Sequence, residues 1–546
     1  MADSPSTHRG AIHWGWALLI TTAAGIALWA RPLVPADETR YAAVAWEMWR
    51  DGQWWVPYLN GEIYSHKPPL LFWLMHLGWW LFGVNEWWPR LLGPAAALAS
   101  AALTQRIGLR LFPGHPEIAA RAPWLLVGAL YWLADATMLM FDHLVTVFVA
   151  LAWLGLLRMR DGARGGAALT AIAVGIGIMA KGPVVVLFTA PAMLMLLPLG
   201  DARSAWRWIG RCAAAGLSGL AIAALWLVPA LREGGQAYAH ALLWNQGAGR
   251  VSESFDHARP LWWYLAVLPL LWLPWSLTPT FWRGLYRGAR QGLAGSTGLR
   301  FCIGVSGFVF AVISIMSGKQ PQYLLPMFPL LALMIAATGA ETGQRLWIAL
   351  PVAALGLLML GLPLAAAQLP KLPWAAGVSP LWGIALAATA GALLWRWRGN
   401  GTAALALSGL LSAAATLALY TGVARPALER FDLRGLSDRI AAEQARRPVA
   451  FAGVYRGQFD FFGRLRQPLQ ELHGPDIRHW LTQHPDGLIV GEIKRLDQSP
   501  EAQAAIWTSP YRSRYFAGWT ADRLAAHPDA FAGGGNRAVV DEADPD

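Results

Sequence analysis

The chain reads as an α-helical polytopic membrane protein of about thirteen transmembrane helices, followed by a small C-terminal α/β domain. Three observations carry that reading. Apolar residues make up 55% of the 546 and charged residues only 14%, well short of the quarter usual in a soluble domain. Basic residues recur in short clusters between paired apolar runs, at Arg106 and Arg110, Arg158 to Arg164, Arg203 to Arg211, Arg283 to Arg290, Arg345, and Arg396 and Arg398. Short cytoplasmic loops collect Lys and Arg in this way. Beyond residue 424 the composition turns polar, and RPVAFAGVYR and DGLIVGEIKR read as short buried strands.

Each element follows from these signals. The first apolar run, about 18 residues, is long enough to cross a bilayer. No A-x-A cleavage site follows it, so 12–31 reads as a retained span. Later spans are expected at 88–110, 120–138, 143–158, 166–180, 183–200, 213–231, 260–281, 301–317, 321–340, 346–367, 379–395 and 402–422. Counting Pro68 to Gly83 as another span would turn the later basic clusters outward, so this Trp-rich run reads as a helix lying at the outer interface. Residues 1–423 form the transmembrane domain, with 32–87 as its first outer loop. The odd span number puts 424–546 outside, with helices near Asp432 to Arg446 and Asp476 to His484 and a disordered last dozen residues.

Composition also bounds function. The formal charge of +11 lies in loop clusters rather than on one soluble face, which excludes a nucleic-acid partner. Many of the 32 Trp flank Pro, Arg or Gly at the ends of apolar runs, as an interfacial belt would. Cys212 and Cys302, the only cysteines, imply neither a disulfide framework nor a cysteine metal site. The Gly-rich segments GARGG and AGGGN do not stand between a strand and a helix, so no cradle for a soluble nucleotide is present.

The topology sorts the remaining charges by side. Asp37, Glu38, Lys67, Asp142, Lys181, Arg250 and Lys319 all fall at outer span ends or in outer loops, in contexts such as HKPPLLFW, FDHLVTVF, AKGPVVVLF and GKQPQYLLP. Charges gathered at one depth beside apolar runs suggest a site. Asp37 could act as general base on an acceptor hydroxyl or phosphate, or simply favour the first turn of a helix, as could Glu38. Asp142 could bind sugar or orient the acceptor, or cap the span that follows it. Any one Lys at a span end could be snorkelling to headgroups. Three of them with Arg250 on one face suit a phosphate, which needs several donors. Tyr323 could bond a headgroup or belong to the aromatic belt, and His143 reads as packing. No HExxH-type spacing marks a metal site; no cofactor is read, and a divalent metal is left open.

Taken together, PADETRYA, W-x-VPYLNGEIYSHKPPL, LFGVNEWWPRL, MFDHLVTVF, MAKGPVVVL, RPLWWYLAVLPLLWLPWS and SGKQPQYLLPMFPLLAL resemble a known family. It is the GT-C superfamily of polyprenyl-phosphate-sugar-dependent glycosyltransferases, in the branch with bacterial aminoarabinose lipid A transferases and protein O-mannosyltransferases. The resemblance covers about residues 30 to 335. It implies inverting transfer from a polyprenyl-phosphate sugar to a lipid A-like lipid, a glycan or a protein, at the outer face of the bacterial inner membrane. It further implies Asp37 as the catalytic carboxylate, Asp142 as a supporting acid, and Lys67, Lys181 and Arg250 as phosphate ligands. Arg40, His66, Lys319 and Tyr323 complete the expected substrate-binding set. His66 is a departure, because aminoarabinose transferases typically carry Glu before the loop lysine, and an imidazole cannot replace that carboxylate. Two other classes compete: a flippase of lipid-linked saccharides, which calls for mid-membrane charge or inverted repeats, and a lipid-binding protein without chemistry.

Overall fold

A computed structural model describes residues 14–198, 200–242, 258–291, 296–338, 345–368, 372–396, 402–474, 476–494, 496 and 499–531. The chain forms two compact units, one containing the first helix with Ser65–Pro426, the other Arg31–Tyr64 with the chain from Ala427 onward. The segment 32–87 is therefore divided between the two.

The first unit is helical. Among the described residues, Asp142–Arg160, Ala202–His240, Thr297–Ile315, Pro321–Thr338 and Ala349–Gln368 are long and apolar enough to cross a membrane by length and composition. Shorter apolar helices include Gly15–Ala30, Leu70–Phe82, Gly166–Lys181 and Val184–Met195.

Several expected spans are not single helices. Residues 120–138 divide at the extended Ala129 into Pro116–Gly128 and Leu130–Ala136. Residues 260–281 give Trp263–Leu271, a 3-10 turn Trp275–Leu277 and a separate helix Pro279–Gln291, with Pro274 and Pro279 at the breaks. Proline supplies no amide hydrogen and crowds the preceding turn, so an apolar run can continue while the helix does not. In the other direction, 213–231 is part of the longer Ala202–His240, whose start is capped by the Asp201 carboxylate accepting from the amides of Arg203 and Ser204.

Several tryptophans are too deeply buried to belong to an aromatic belt. Trp206 and Trp262 are exposed, but Trp132, Trp153, Trp272 and Trp275 are fully buried. Trp153 donates to the Phe188 carbonyl at 2.9 Å and Trp275 to the Leu125 carbonyl at 2.8 Å. These bonds satisfy the indole N–H inside an apolar core. One close approach matters for the site. A Cβ on Gly93 would lie 2.5 Å from the Ala136 carbonyl oxygen and 2.6 Å from that of Met138. Only glycine lets the helix Trp87–Leu111 accept the turn that leads into Asp142.

In the second unit a short hairpin, β1 (Tyr58–Leu59) and β2 (Glu62–Ile63), precedes a five-stranded sheet. Its strands are β3 (Val449–Ala452), β4 (Gln470–Leu472), β5 (Leu488–Ile493), β6 (Trp507–Tyr511) and β7 (Arg514–Thr520), in the order β4-β3-β5-β7-β6. Strand β3 pairs in parallel with β4 and β5, and β7 pairs antiparallel with β5 and β6. The run VAFA is buried throughout, as a central parallel strand requires. Helix Arg434–Gln444 precedes β3, and helix Asp476–Gln483 lies between β4 and β5. The helix Asp37–Asp51 and its hairpin are knitted to this layer. Asn60 donates to the Leu469 carbonyl at 2.9 Å and accepts from the Leu469 amide at 2.7 Å. Trp46 and Arg50 both donate to the Leu465 carbonyl, each at 3.1 Å.

Candidate active site

Within the first unit, three of the expected residues meet. Asp142 opens the helix Asp142–Arg160, where a carboxylate meets the positive end of the helix dipole. It does not cap that helix; Phe141 holds the cap position. Lys181 ends the helix Gly166–Lys181, and Gly182 turns the chain at φ 72. Its ammonium lies 2.6 Å from Asp142 Oδ1, with side chains 15% and 5% exposed. The same ammonium stands 4.9 Å from the ring centroid of Tyr323. A cation so placed gains from the carboxylate and from the ring face together.

Lys319 bonds elsewhere. It is buried, and its ammonium donates to the carbonyls of Arg259 and Met316. His143 packs edge-on against Trp132 at 4.9 Å, with Nε2 3.1 Å from the Trp132 carbonyl. Lys67 is half-buried and His66 exposed in the bend before the helix Leu70–Phe82. Arg250 lies outside the described residues. Among the described residues no three His, Cys, Asp or Glu side chains converge as a metal would need.

Within the second unit, Asp37 begins the helix Asp37–Asp51 after Ala36. Its Oδ1 accepts from Arg40 and, at 3.4 Å, from the Tyr41 hydroxyl, while 44% of the side chain remains exposed. Burial works against the Arg40 charge, but Tyr64, Asp37 and Tyr41 outweigh it and raise its pKa.

Sequence reasoning missed what fixes this turn. The buried Glu38 accepts from Arg31 through two bonds of 2.5 and 3.1 Å and from the Val34 amide at 2.7 Å. It clamps the segment preceding Asp37 rather than capping the helix. The two residues lie across the non-helical break between Ala30 and Asp37, so no continuous helical or strand period links them, and only an acidic residue beside an Arg at a span end hinted at it. Also unread was a carboxyl cluster behind the same helix. Tyr455 donates to Asp460 Oδ1 at 2.7 Å, and Glu47 accepts from the Gly61 amide at 2.7 Å. Burial pushes the Asp460 carboxyl up to about 7; Tyr455 and Arg50 pull it down, while Glu47 adds to the rise.

The family described as dolichyl-phosphate-mannose-protein mannosyltransferase matches residues 66–230. The undecaprenyl phosphate-α-4-amino-4-deoxy-L-arabinose arabinosyl transferase of Edwardsiella ictaluri is 32% identical over 366 residues, 65% of this chain and 64% of that protein. Its counterpart from Pseudomonas aeruginosa is 30% identical over 60% of each chain. The chain thus spans somewhat less than two thirds of these relatives' length. The crystal structure of ArnT from Cupriavidus metallidurans bound to undecaprenyl phosphate superposes with a TM-score of 0.71 at 18% identity, covering 93% of this chain and 99% of that one. In sequence the chain is similar to aminoarabinose transferases and, over residues 66–230, to the mannosyltransferase family, and it shares the fold of ArnT from Cupriavidus metallidurans.

Proposed function

We propose that this chain is an integral membrane glycosyltransferase that moves an aminoarabinose-type sugar from undecaprenyl phosphate to a lipid A-like acceptor. The acceptor lies at the outer face of the bacterial inner membrane. The observation that carries the reading is the Asp142–Lys181 pair beside Tyr323, at the ends of apolar helices. A lysine ammonium has three donors. With one on Asp142, Lys181 keeps capacity for the phosphate oxygens of a lipid-linked donor. Cations held there stabilise the leaving phosphate as its charge grows, more in the transition state than before it. Lys67 and Arg250 join it as phosphate ligands, and Asp142 orients the ammonium. Asp37 is the base. It accepts from Arg40 and Tyr41 through Oδ1, so Oδ2 keeps lone pairs for the acceptor proton.

The finer reading follows the same lines. Thirteen spans place 424–546 outside, where that unit can support the helix carrying Asp37. A glycan or protein acceptor remains a narrower alternative to lipid A. The relatives' names favour the amino sugar despite His66.

Proteoliposomes holding the purified protein, undecaprenyl-phosphate aminoarabinose and lipid A test the proposal. Product and free undecaprenyl phosphate should appear together, and Asp37→Asn should abolish turnover while donor still binds. Donor that crosses the bilayer without being consumed would make the chain a flippase, and full turnover in Asp37→Asn would remove the base.

A further inference from the structure

The hairpin β6–β7 has a tip of two residues, Arg512 and Ser513, between the paired Tyr511 and Arg514. Arg512 has φ 49, in the left-handed region. Tight hairpins fill such positions with Gly, Asn or Asp, and an arginine there costs backbone energy. Backbone strain kept at one residue points to what its side chain does. The Arg512 guanidinium donates to the Pro35 carbonyl at 2.5 Å, across 477 residues of sequence. It lies 5.3 Å from the centroid of Phe431 and 5.2 Å from that of Tyr511. Its amide is tied to the Arg430 carbonyl at 3.2 Å. Pro35 stands two residues before Asp37. The Glu38 clamp holds the amide side of the same turn at Val34, and Arg512 holds its carbonyl side.

We infer that Arg512 is a positioning residue for Asp37: it fixes the backbone turn from which the carboxylate meets the acceptor. The inference rests on Asp37 being the base. Glu38 and Arg31 keep their buried bonds without Arg512, so losing the guanidinium should loosen the approach to Asp37 and leave the helix folded.

The test uses the full chain in nanodiscs, with undecaprenyl-phosphate aminoarabinose as donor and lipid A as acceptor. Arg512→Gly removes the side chain and relieves the positive φ together, so misfolding does not confound it. Its kcat should fall about 10- to 100-fold, the scale of losing roughly an ångström of alignment, with the donor KM within about twofold and the melting temperature unchanged. Arg512→Lys, which can still donate to the carbonyl, should recover much of the rate. Wild-type kcat in Arg512→Gly overturns the inference. So does a fall in kcat matched by lost donor-binding capacity and a lower melting temperature, which would mark a merely structural role. Asp37→Asn measured alongside separates the two readings. If it is inactive while Arg512→Gly is not, only the positioning role fails; if it is active, the base assignment fails and this inference with it.

Discussion

Breaking the Asp142–Lys181 pair should be costly in a way that separates binding from folding. At 2.6 Å the gross attraction is about 6 kcal/mol with an effective dielectric near 20. Desolvation of both groups takes back most of that. Removing one partner is another matter, because Asp142 is 5% exposed and would be left as a lone buried carboxylate. Lys181→Met should therefore destabilise the first unit by about 3–5 kcal/mol, and Asp142→Leu by a similar amount. The double variant should cost less than the sum, with a coupling of about 2–3 kcal/mol. Thermal unfolding in detergent, with and without undecaprenyl phosphate, measures both quantities. Ligand should raise the melting temperature of wild type, and it should do so far less in Lys181→Met. A coupling below about 0.5 kcal/mol, within the additivity of independent sites, would refute the claim that the two act as one unit. An unchanged ligand shift in Lys181→Met would refute its phosphate role.

Other perturbations have equally definite outcomes. Lys67→Ala should weaken donor binding about tenfold, the worth of one charge-assisted bond, and unchanged affinity in a lipid-binding titration would return Lys67 to snorkelling. Gly93→Ala should cost about 1–3 kcal/mol, because its new methyl meets two carbonyl oxygens, and an unaltered melting curve would show that the turn can yield. Asp460 carries a folded-state pKa raised to about 7 from an ordinary 3.8. The folded unit therefore holds that proton more tightly than the unfolded chain, and the stabilisation, full below pH 3.8, is lost as pH rises to 7. Asp460→Asn should flatten this trend, gaining up to about 4 kcal/mol over wild type at pH 8. Parallel melting profiles for the two proteins from pH 5 to 8 would exclude the effect.

What was legible in the sequence was whatever a short window of residues determines. The apolar runs, and the strands in VAFA and LIVGEI, are local hydrophobic signals and appear as elements. The proline breaks at 274 and 279 carry a local signal too, but hydropathy averages over them, and 260–281 read as one span. The tip of β6–β7 has no Gly, Asn or Asp to announce a turn, so SPYRSRYFAG did not read as a hairpin. Side-chain partners were the least accessible. That Asp142 and Lys181 lie near span ends follows from charge, whereas their hydrogen bond depends on two helices packing in register. Lys319 has the same local context as Lys181, KQP against KGP, yet it donates to the Arg259 carbonyl of another loop and to the Met316 carbonyl three residues back. Nothing within its own window distinguishes it.

The second unit is assembled from two stretches of chain that leave the ribosome far apart in time. Asn60 and Leu469, bonded in both directions, are 409 residues apart. At bacterial synthesis rates of roughly 5–20 residues per second, that gap is on the order of 20–80 seconds. Throughout it the helix bearing Asp37 and its hairpin lack the segment around Leu465 and Leu469 to which they are bonded. A nascent or truncated chain ending before the sheet would contain the complete first unit and still be unable to set its carboxylate. On the role proposed for Asp37, a premature stop anywhere before about residue 470 should yield an inert membrane protein rather than a partly active one.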